Sequence, residues 1–236
     1  MYNKYPSLNK LYLAIFSIAI IYFLLYTSFY LVCFFDKLGL YKLISQYKTY
    51  EYLPFKLDMS EIKLISSELM EYISGKSLFL ETKVHINGIL TEFYSTRSKI
   101  HMADVRNIIV TLTKINYFAI LTAIISIFKL INLPNIFTML KITYSKCLII
   151  ICIFLTIIFI TAAINFDVFF TKFHEVLFTN DLWLLDPNED YIICLLPEKI
   201  FMTYGIRIII AMLISIIFLF FLLHILSKIQ SRQEAK

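Results

Sequence analysis

Four long apolar stretches dominate this chain of 236 residues. A helix needs about 20 mostly apolar residues to cross the hydrocarbon core of a bilayer, which is about 30 Å thick. The stretches predict membrane spans at residues 11–35, 115–133, 147–166 and 206–226. The second span is the weakest because it contains Lys129, whose ammonium group can snorkel to the interface. The sequence therefore predicts an α-helical polytopic membrane protein with four transmembrane helices.

The composition excludes several other classes of protein. Hydrophobic residues make up 59% of the chain and charged residues 17%, whereas soluble domains average about 45–50% apolar and about 25% charged. A soluble globular enzyme, a disordered chain and a collagen-like chain are therefore excluded. The net charge is +5, but the sequence contains no run of Lys and Arg that would indicate a nucleic-acid partner.

The distribution of charge predicts the orientation of the chain in the membrane. The segment that follows the third span carries seven acidic residues and only two lysines, Lys172 and Lys199. Cytoplasmic loops are enriched in Lys and Arg, so we expect this acidic segment to lie outside. Both termini, 1–10 and 227–236, and the loop 134–146 are then cytoplasmic, and the segments 36–114 and 167–205 are extracytoplasmic. The basic residues expected on the cytoplasmic side are Lys4, Lys10, Lys129, Lys141, Lys146, Lys228, Arg232 and Lys236.

The first outer segment predicts a small α/β cap. Ser60 as N-cap and Gly75 just past the last turn predict a helix at about 60–74. Asn87-Gly88 lies between two β-prone runs and predicts a hairpin at about 77–94. The residues that follow lead into the second span as one continuous helix that carries His101.

Two histidines are candidates for chemistry. His101 lies three residues before Asp104 and four after Arg97, so a helix places all three side chains on roughly one face. Asp104 can then orient the imidazole or stabilise its charged form. His174 lies at the outer end of the third span, among acidic residues. One interfacial histidine is more often structural than catalytic, but two that converge on one surface make catalysis as plausible as packing.

The remaining candidates are assigned to packing or to the interface: His85 in the hairpin, His224 near the cytoplasmic end of the fourth span, and Cys194 between aliphatic residues. A Cys33–Cys194 disulfide is conceivable. The chain has no G-x-S-x-G elbow, no H-E-x-x-H and no glycine-rich phosphate loop, so hydrolase, metalloprotease and nucleotide-binding functions lack their motifs. His101, Asp104 and His174 lack a diagnostic metal-ligand spacing.

Two longer motifs resemble a known family. F-Y-S-T-R-S-K-I-H-M-A-D-V, at residues 93–105, resembles the first signature of the bacterial lipoprotein intramolecular transacylases, four-span integral membrane proteins. F-H-E-V-L-F-T-N-D-L-W-L-L-D-P, at residues 173–187, resembles the second, together with D-Y-I-I and L-P-E-K-I-F after it. The resemblance covers most of the chain, including the number of spans and the separation of the motifs.

The resemblance implies a reaction. Members of the family move the sn-2 acyl chain of a diacylglyceryl-cysteine lipoprotein to its own α-amino group, which gives a lyso-form lipoprotein. His101 and His174 match the two active-site histidines, and the resemblance implies no metal, nucleotide or other cofactor. We expect His101 to be the main base and acid and His174 to hydrogen-bond the reacting ester or its oxyanion. The residues expected to support them are Arg97, Asp104, Trp183, Asp186 and Arg207.

The substrates are then diacylated lipoproteins in the phospholipid bilayer, with no nucleic acid and no nucleotide. One alternative is a non-enzymatic integral membrane protein that binds a partner or acts as a sensor. Its histidines would be structural. A second alternative is a metal-dependent membrane hydrolase, which a chelator would silence.

Overall fold

The structure, a computed structural model, describes residues 6–234, without the side chain of Glu234. Lys4 and Lys236, two of the lysines expected on the cytoplasmic side, lie outside the described residues. The described part contains eight α-helices and two strands. They are α1 (Ser7–Tyr30), α2 (Gly39–Tyr47), α3 (Met59–Ile73), β1 (Lys83–Ile86), β2 (Ile89–Glu92), α4 (Thr96–Leu130), α5 (Ile136–Ile164), α6 (Phe166–Leu177), α7 (Ile192–Leu195) and α8 (Glu198–Glu234).

Four helices are long and apolar enough to cross a bilayer. They are Ser7–Phe35, which is α1 with the π-helical turn that follows it, and Thr96–Leu130, Ile136–Ile164 and Glu198–Gln233. With the small sheet of β1 and β2, they confirm the predicted fold class of a four-span α-helical membrane protein with a small α/β part.

The helices do not begin and end where the predicted spans do. The α4 helix ends at Leu130, before the expected end at residue 133, because a residue that precedes a proline avoids the helical region and Pro134 follows Leu133. The α5 helix already begins at Ile136, so most of the loop expected at 134–146 is helical. Its first turns bury Ile136 and Leu140, and this apolar face stabilises the helix beyond the run that hydropathy detects.

The chain divides into two compact units. The membrane unit comprises the described residues of 1–29, 113–164 and 208–236, and the cap unit comprises Tyr30–Leu112 and Asn165–Arg207. The α4 helix belongs to both, since its first half lies in the cap unit and its second half in the membrane unit.

The membrane unit has an apolar core with a few polar contacts between its helices. Tyr144 donates a hydrogen bond of 3.0 Å to the carbonyl of Ile216, and the hydroxyl groups of Ser28 and Ser215 lie 3.2 Å apart. Such contacts hold helices together where lipid supplies no hydrophobic driving force. The buried core residues are Leu13, Ile21, Leu130, Ile136, Met139, Leu140, Tyr144, Ile216 and Leu223.

The cap unit has its own hydrophobic core, which is shared by α2, α3, the hairpin, the start of α4, α7 and the start of α8. The two strands pair antiparallel with Lys83 opposite Glu92, and Asn87 and Gly88 form the tip with φ of 52° and 81°. Positive φ at both positions is the conformation that makes Asn-Gly favourable in two-residue hairpins. The most deeply buried residues of the core are Leu43, Ile44, Ile62, Ile65, Leu69, Val84, Phe93, Ile192, Leu195 and Ile200.

The N-cap expected at Ser60 is wrong. The α3 helix begins one residue earlier, at Met59, with Asp58 as its N-cap. The Asp58 N–H donates a 3.2 Å hydrogen bond to the carboxylate of Glu61, as in a capping box. Gly75 follows the helix with φ of 83°, the left-handed conformation expected just after a C-terminus.

Candidate active site

The cap unit brings His101 and His174 together. Their ring centroids lie 6.0 Å apart with 39° between the ring planes. Both side chains are buried, with 5% and 7% of their surface exposed. Two polar, titratable rings in an apolar interior are costly unless they have partners, so their meeting marks a candidate active site.

Capping at two helix starts places the histidines. Ser95 precedes α4, and its Oγ accepts a 3.0 Å hydrogen bond from the Ser98 N–H, so His101 falls in the second turn. Asn165 precedes α6, and its side chain accepts a 3.0 Å hydrogen bond from the Val168 N–H. The α6 helix is amphipathic and ends at Leu177, with His174 on its buried face.

Four aromatic side chains surround His174, and we call them the aromatic cage: Phe170, Phe173, Phe178 and Trp183. Their ring centroids lie 4.0, 5.5, 5.5 and 4.9 Å from the His174 ring. Phe178 also lies 5.1 Å from His101. The cage keeps bulk water away from both imidazoles.

One hydrogen bond fixes the protonation pattern of His174. Its Nδ1 lies 2.7 Å from the carbonyl oxygen of Phe170. A carbonyl oxygen only accepts, so Nδ1 carries the proton, and in the neutral ring Nε2 has the free lone pair. Burial lowers the pKa of His174 below its ordinary value, although the hydrogen bond to Phe170 partly opposes this. His174 is therefore neutral at pH 7, with a basic nitrogen available.

The Nδ1 of His101 is buried and makes no hydrogen bond to any other residue that the structure describes. A buried polar atom without a partner costs free energy, of the order of 1–3 kcal/mol. His101 therefore has a hydrogen-bonding position to offer to a bound molecule.

Asp104 and Arg97 contact the loop that follows α6, and neither of them hydrogen-bonds His101. Asp104 accepts a 3.0 Å hydrogen bond from the side-chain amide of Asn180, although the sequence suggested that it orients His101. Arg97 donates to the carbonyl of Asp181. Both interactions hold the loop 178–190, which we call the cage loop, against the first turns of α4.

Among the other expected supporting residues, Trp183 belongs to the cage, whereas Asp186 and Arg207 do not. Asp186 shapes a turn, since its Oδ1 accepts a 2.9 Å hydrogen bond from the N–H of Asn188. Arg207 is exposed on α8, and the structure shows no hydrogen bond or ion pair from it to His101 or His174 within the described residues.

Asp190 is the residue of the site that sequence reasoning missed. Its carboxylate is buried and accepts hydrogen bonds from the Ser95 and Ser98 hydroxyls and, at 2.9 Å, from the Asp186 N–H. Burial by itself raises the pKa of Asp190, but these hydrogen bonds outweigh it and leave the pKa below its usual value. In the sequence, Asp190 is one of seven acids in one segment, and only the two serines at helix-cap spacing could have indicated its partners.

The remaining histidines and Cys194 lie outside the cage. His85 donates its backbone N–H to Glu61 at 2.7 Å, and its Nδ1 lies 3.1 Å from the same carboxylate oxygen. His224 belongs to the membrane unit and packs on Phe220. Cys194 lies on α7, and all four cysteines are free, so the conceivable disulfide is not formed.

Across residues 6–234, no group of three or more His, Cys, Asp and Glu side chains is placed as a metal site requires. The site is therefore best understood through the two imidazoles, the cage and the residues that hold the cage loop.

Comparison with known proteins identifies what the chain resembles. The family model for the lipoprotein intramolecular transacylase Lit matches residues 14–201. The structure of the membrane integral lipoprotein intramolecular transacylase Lit from Bacillus cereus is 26% identical, with a TM-score of 0.72 over 97% of this chain and 98% of that chain. A variant of that protein with a histidine replaced by arginine is 25% identical, with a TM-score of 0.68 over 97% and 94% of the two chains. No curated protein sequence matches the chain.

Proposed function

Because the chain belongs to the lipoprotein intramolecular transacylase family, we propose that it moves the sn-2 acyl chain of a diacylglyceryl-cysteine lipoprotein to the α-amino group of the same cysteine. The protein is an integral membrane acyltransferase whose substrates are lipoproteins. A non-enzymatic partner-binding protein or sensor is not favoured, since the family is named for its reaction. The observation in this chain that supports the proposal best is the buried pair of His101 and His174.

The chemistry needs one proton to move. The amine nitrogen attacks the ester carbonyl, a C–N bond forms, the bond to the glycerol oxygen breaks, and the proton lost by nitrogen goes to that oxygen. Ester and amine belong to one molecule, so binding already supplies the proximity that a bimolecular reaction lacks. The reaction balances without an external acceptor, and we propose that no metal or nucleotide takes part.

The hydrogen bonds support a division of labour opposite to the one expected from the sequence. Neutral His174 has its Nδ1 proton engaged by Phe170, so its unprotonated Nε2 is free to take up a proton first. We therefore assign to His174 the removal of the amine proton and its return to the glycerol oxygen. His101, protonated on its free Nδ1, donates to the carbonyl oxygen as negative charge develops there.

The aromatic cage supports amide formation over hydrolysis. The two imidazoles are almost fully buried, which limits the water that competes with the amine for the ester. The same apolar lining suits a substrate whose reacting ester carries a long hydrocarbon acyl chain.

We further propose that both termini are cytoplasmic and that the cap unit, with the histidines, faces outside. The charge distribution supports this orientation. In a variant without native cysteines, Glu189→Cys is expected to react with a membrane-impermeant maleimide on intact cells, and Ser231→Cys only after lysis. Both side chains are exposed, so the reverse pattern would contradict the orientation.

The proposed reaction is tested by mass spectrometry of the N-terminal lipopeptide of one reporter lipoprotein. The host makes only the diacylglyceryl form and is compared with and without this protein. We expect an N-acyl, S-monoacylglyceryl cysteine of unchanged total mass. An unmodified lipopeptide from a well-expressed and correctly inserted protein would overturn the proposal.

A further inference from the structure

The cage loop contributes Phe178 and Trp183, which are two of the four aromatic side chains around His174. Polar contacts at both ends hold the loop against the start of α4. Asn180 bonds to Asp104 near its start, and Asp190 bonds to Ser95 and Ser98 at its end.

The end of the loop is held more tightly than its start. Asp190 is 1% exposed and Ser98 0%, and one carboxylate oxygen accepts from both serine hydroxyls while the other accepts from the Asp186 N–H. A buried carboxylate is costly unless its oxygens are hydrogen-bonded, and here three donors satisfy it. We call the contacts of Asp190 with Ser95 and Ser98 the clasp.

The clasp lies one helical turn from His101. Ser98 and His101 are separated by three residues on α4, so they occupy the same helix face, and both are buried. The face that Asp190 holds through Ser98 is therefore the face that presents His101 to His174. Losing the clasp leaves the bonds at Asn180 and Asp181 as the hydrogen bonds of the cage loop to α4 among the described residues.

We infer that Asp190 is a positioning residue of the acyl transfer. It holds the cage loop on α4 and so maintains the distance and angle between the His101 and His174 rings. The inference rests on the proposed function of the two histidines. Asp190 acts through the loop and has no contact with either histidine ring among those the structure describes.

The test compares Asp190→Asn with Glu189→Gln. Both substitutions turn a carboxylate into an amide in the same turn, but Glu189 is exposed whereas Asp190 is buried. In Asp190→Asn an amide NH₂ replaces one carboxylate oxygen, so it faces one of the former donors. Purified protein in lipid is assayed with a synthetic diacylglyceryl-cysteine peptide that has a free α-amino group.

We expect Asp190→Asn to lower kcat about 10- to 100-fold, with KM changed by less than about twofold, because small misplacements of reacting groups cost rate more than binding. Trp183 is the only tryptophan of the chain, so its fluorescence reports the cage without reference to activity. Its emission should shift to longer wavelength, and acrylamide should quench it more strongly. Glu189→Gln should match the parent in both measurements.

Equal behaviour of Asp190→Asn and Glu189→Gln would overturn the inference, and so would a loss of kcat with unchanged Trp183 emission. If Asp190→Asn does not accumulate in the membrane, Ser98→Ala, which removes one of the three donors, takes its place with the same criteria. Failure of the proposed function is distinguishable, since a parent protein that leaves the synthetic peptide unconverted would refute the function, while the fluorescence of Trp183 would still test the clasp.

Discussion

The imidazole of His174 lies against the indole of Trp183, with ring centroids 4.9 Å apart and 30° between the planes. The contact joins the end of α6 to the cage loop. It places the only tryptophan of the chain beside the histidine to which we assign the proton transfer. The protonation state of His174 can therefore be followed by the fluorescence of Trp183, without an added label.

The pH dependence of the Trp183 fluorescence is the first prediction. An imidazolium beside an indole quenches its emission, whereas neutral imidazole does so weakly. Burial lowers the pKa of His174, so the neutral ring persists to lower pH than an ordinary histidine, whose pKa is about 6.5. We expect the quenching midpoint below that value, and His174→Asn should abolish the titration. A midpoint at or above the ordinary value contradicts this.

The same pKa predicts the acid limb of activity. The rate should fall as His174 becomes protonated, so the decline should begin below the pH at which an ordinary histidine titrates. The measurement is kcat against pH for the purified enzyme. Its acid limb should coincide with the Trp183 titration, and a limb displaced from that titration would show that another group controls the rate.

Phe178 contacts both imidazoles, at 5.1 Å from His101 and 5.5 Å from His174. Phe178→Ala should lower kcat about tenfold or more because it loosens both rings and admits water. The variant should also lose about 1–3 kcal/mol of unfolding free energy, since the side chain is partly buried. Thermal melts and the lipopeptide assay measure the two effects. Phe79→Ala is the control because Phe79 is 73% exposed, and an equal loss of activity there would refute the expectation.

Asp104 is predicted to act through Asn180. Asp104→Ala and Asn180→Ala should lower kcat by similar factors, and the double variant should be no slower than either, since both remove the same 3.0 Å hydrogen bond. Steady-state rates of the three variants form the double-mutant cycle. A much larger loss for Asp104→Ala than for Asn180→Ala would instead show a direct effect of the carboxylate on His101.

Gly75→Ala should destabilise the cap unit. Gly75 has φ of 83°, and a Cβ there would lie 2.9 Å from the Cγ2 of Val110. We expect a loss of about 1–3 kcal/mol of unfolding free energy. Gly205→Ala is the matched control, because Gly205 is helical and, apart from its chain neighbours and the backbone of its own helix, no atom lies within 4 Å of an added Cβ. It should be neutral or slightly stabilising, and a larger loss at Gly205 than at Gly75 would contradict the argument.

The sequence predicts the four spans because bilayer thickness fixes the length of an apolar run, but it does not locate the helix ends. The α5 helix begins at Ile136, where an amphipathic face replaces the all-apolar pattern. The hairpin is predictable for a different reason, since Asn87 and Gly88 adopt the positive φ that few other residue pairs favour.

The histidines are found in the sequence through their motifs, but their partners are not. The spacing of His101 and Asp104 predicts that they are partners, whereas Asp104 bonds to Asn180, which only the fold brings near. Asp190 escaped notice for the same reason, because a local pattern cannot tell a buried carboxylate from its exposed neighbour Glu189.

The most direct test replaces the histidines one at a time in the lipopeptide assay. His174→Asn and His101→Asn are compared with His85→Asn, which alters an exposed histidine of the same unit. We expect the first two variants to leave the reporter in its diacylglyceryl form with a free α-amino group, and His85→Asn to convert it as the parent does. Full conversion by either His174→Asn or His101→Asn, in protein inserted at the parent's level, would contradict the assignment of the acyl transfer to this pair.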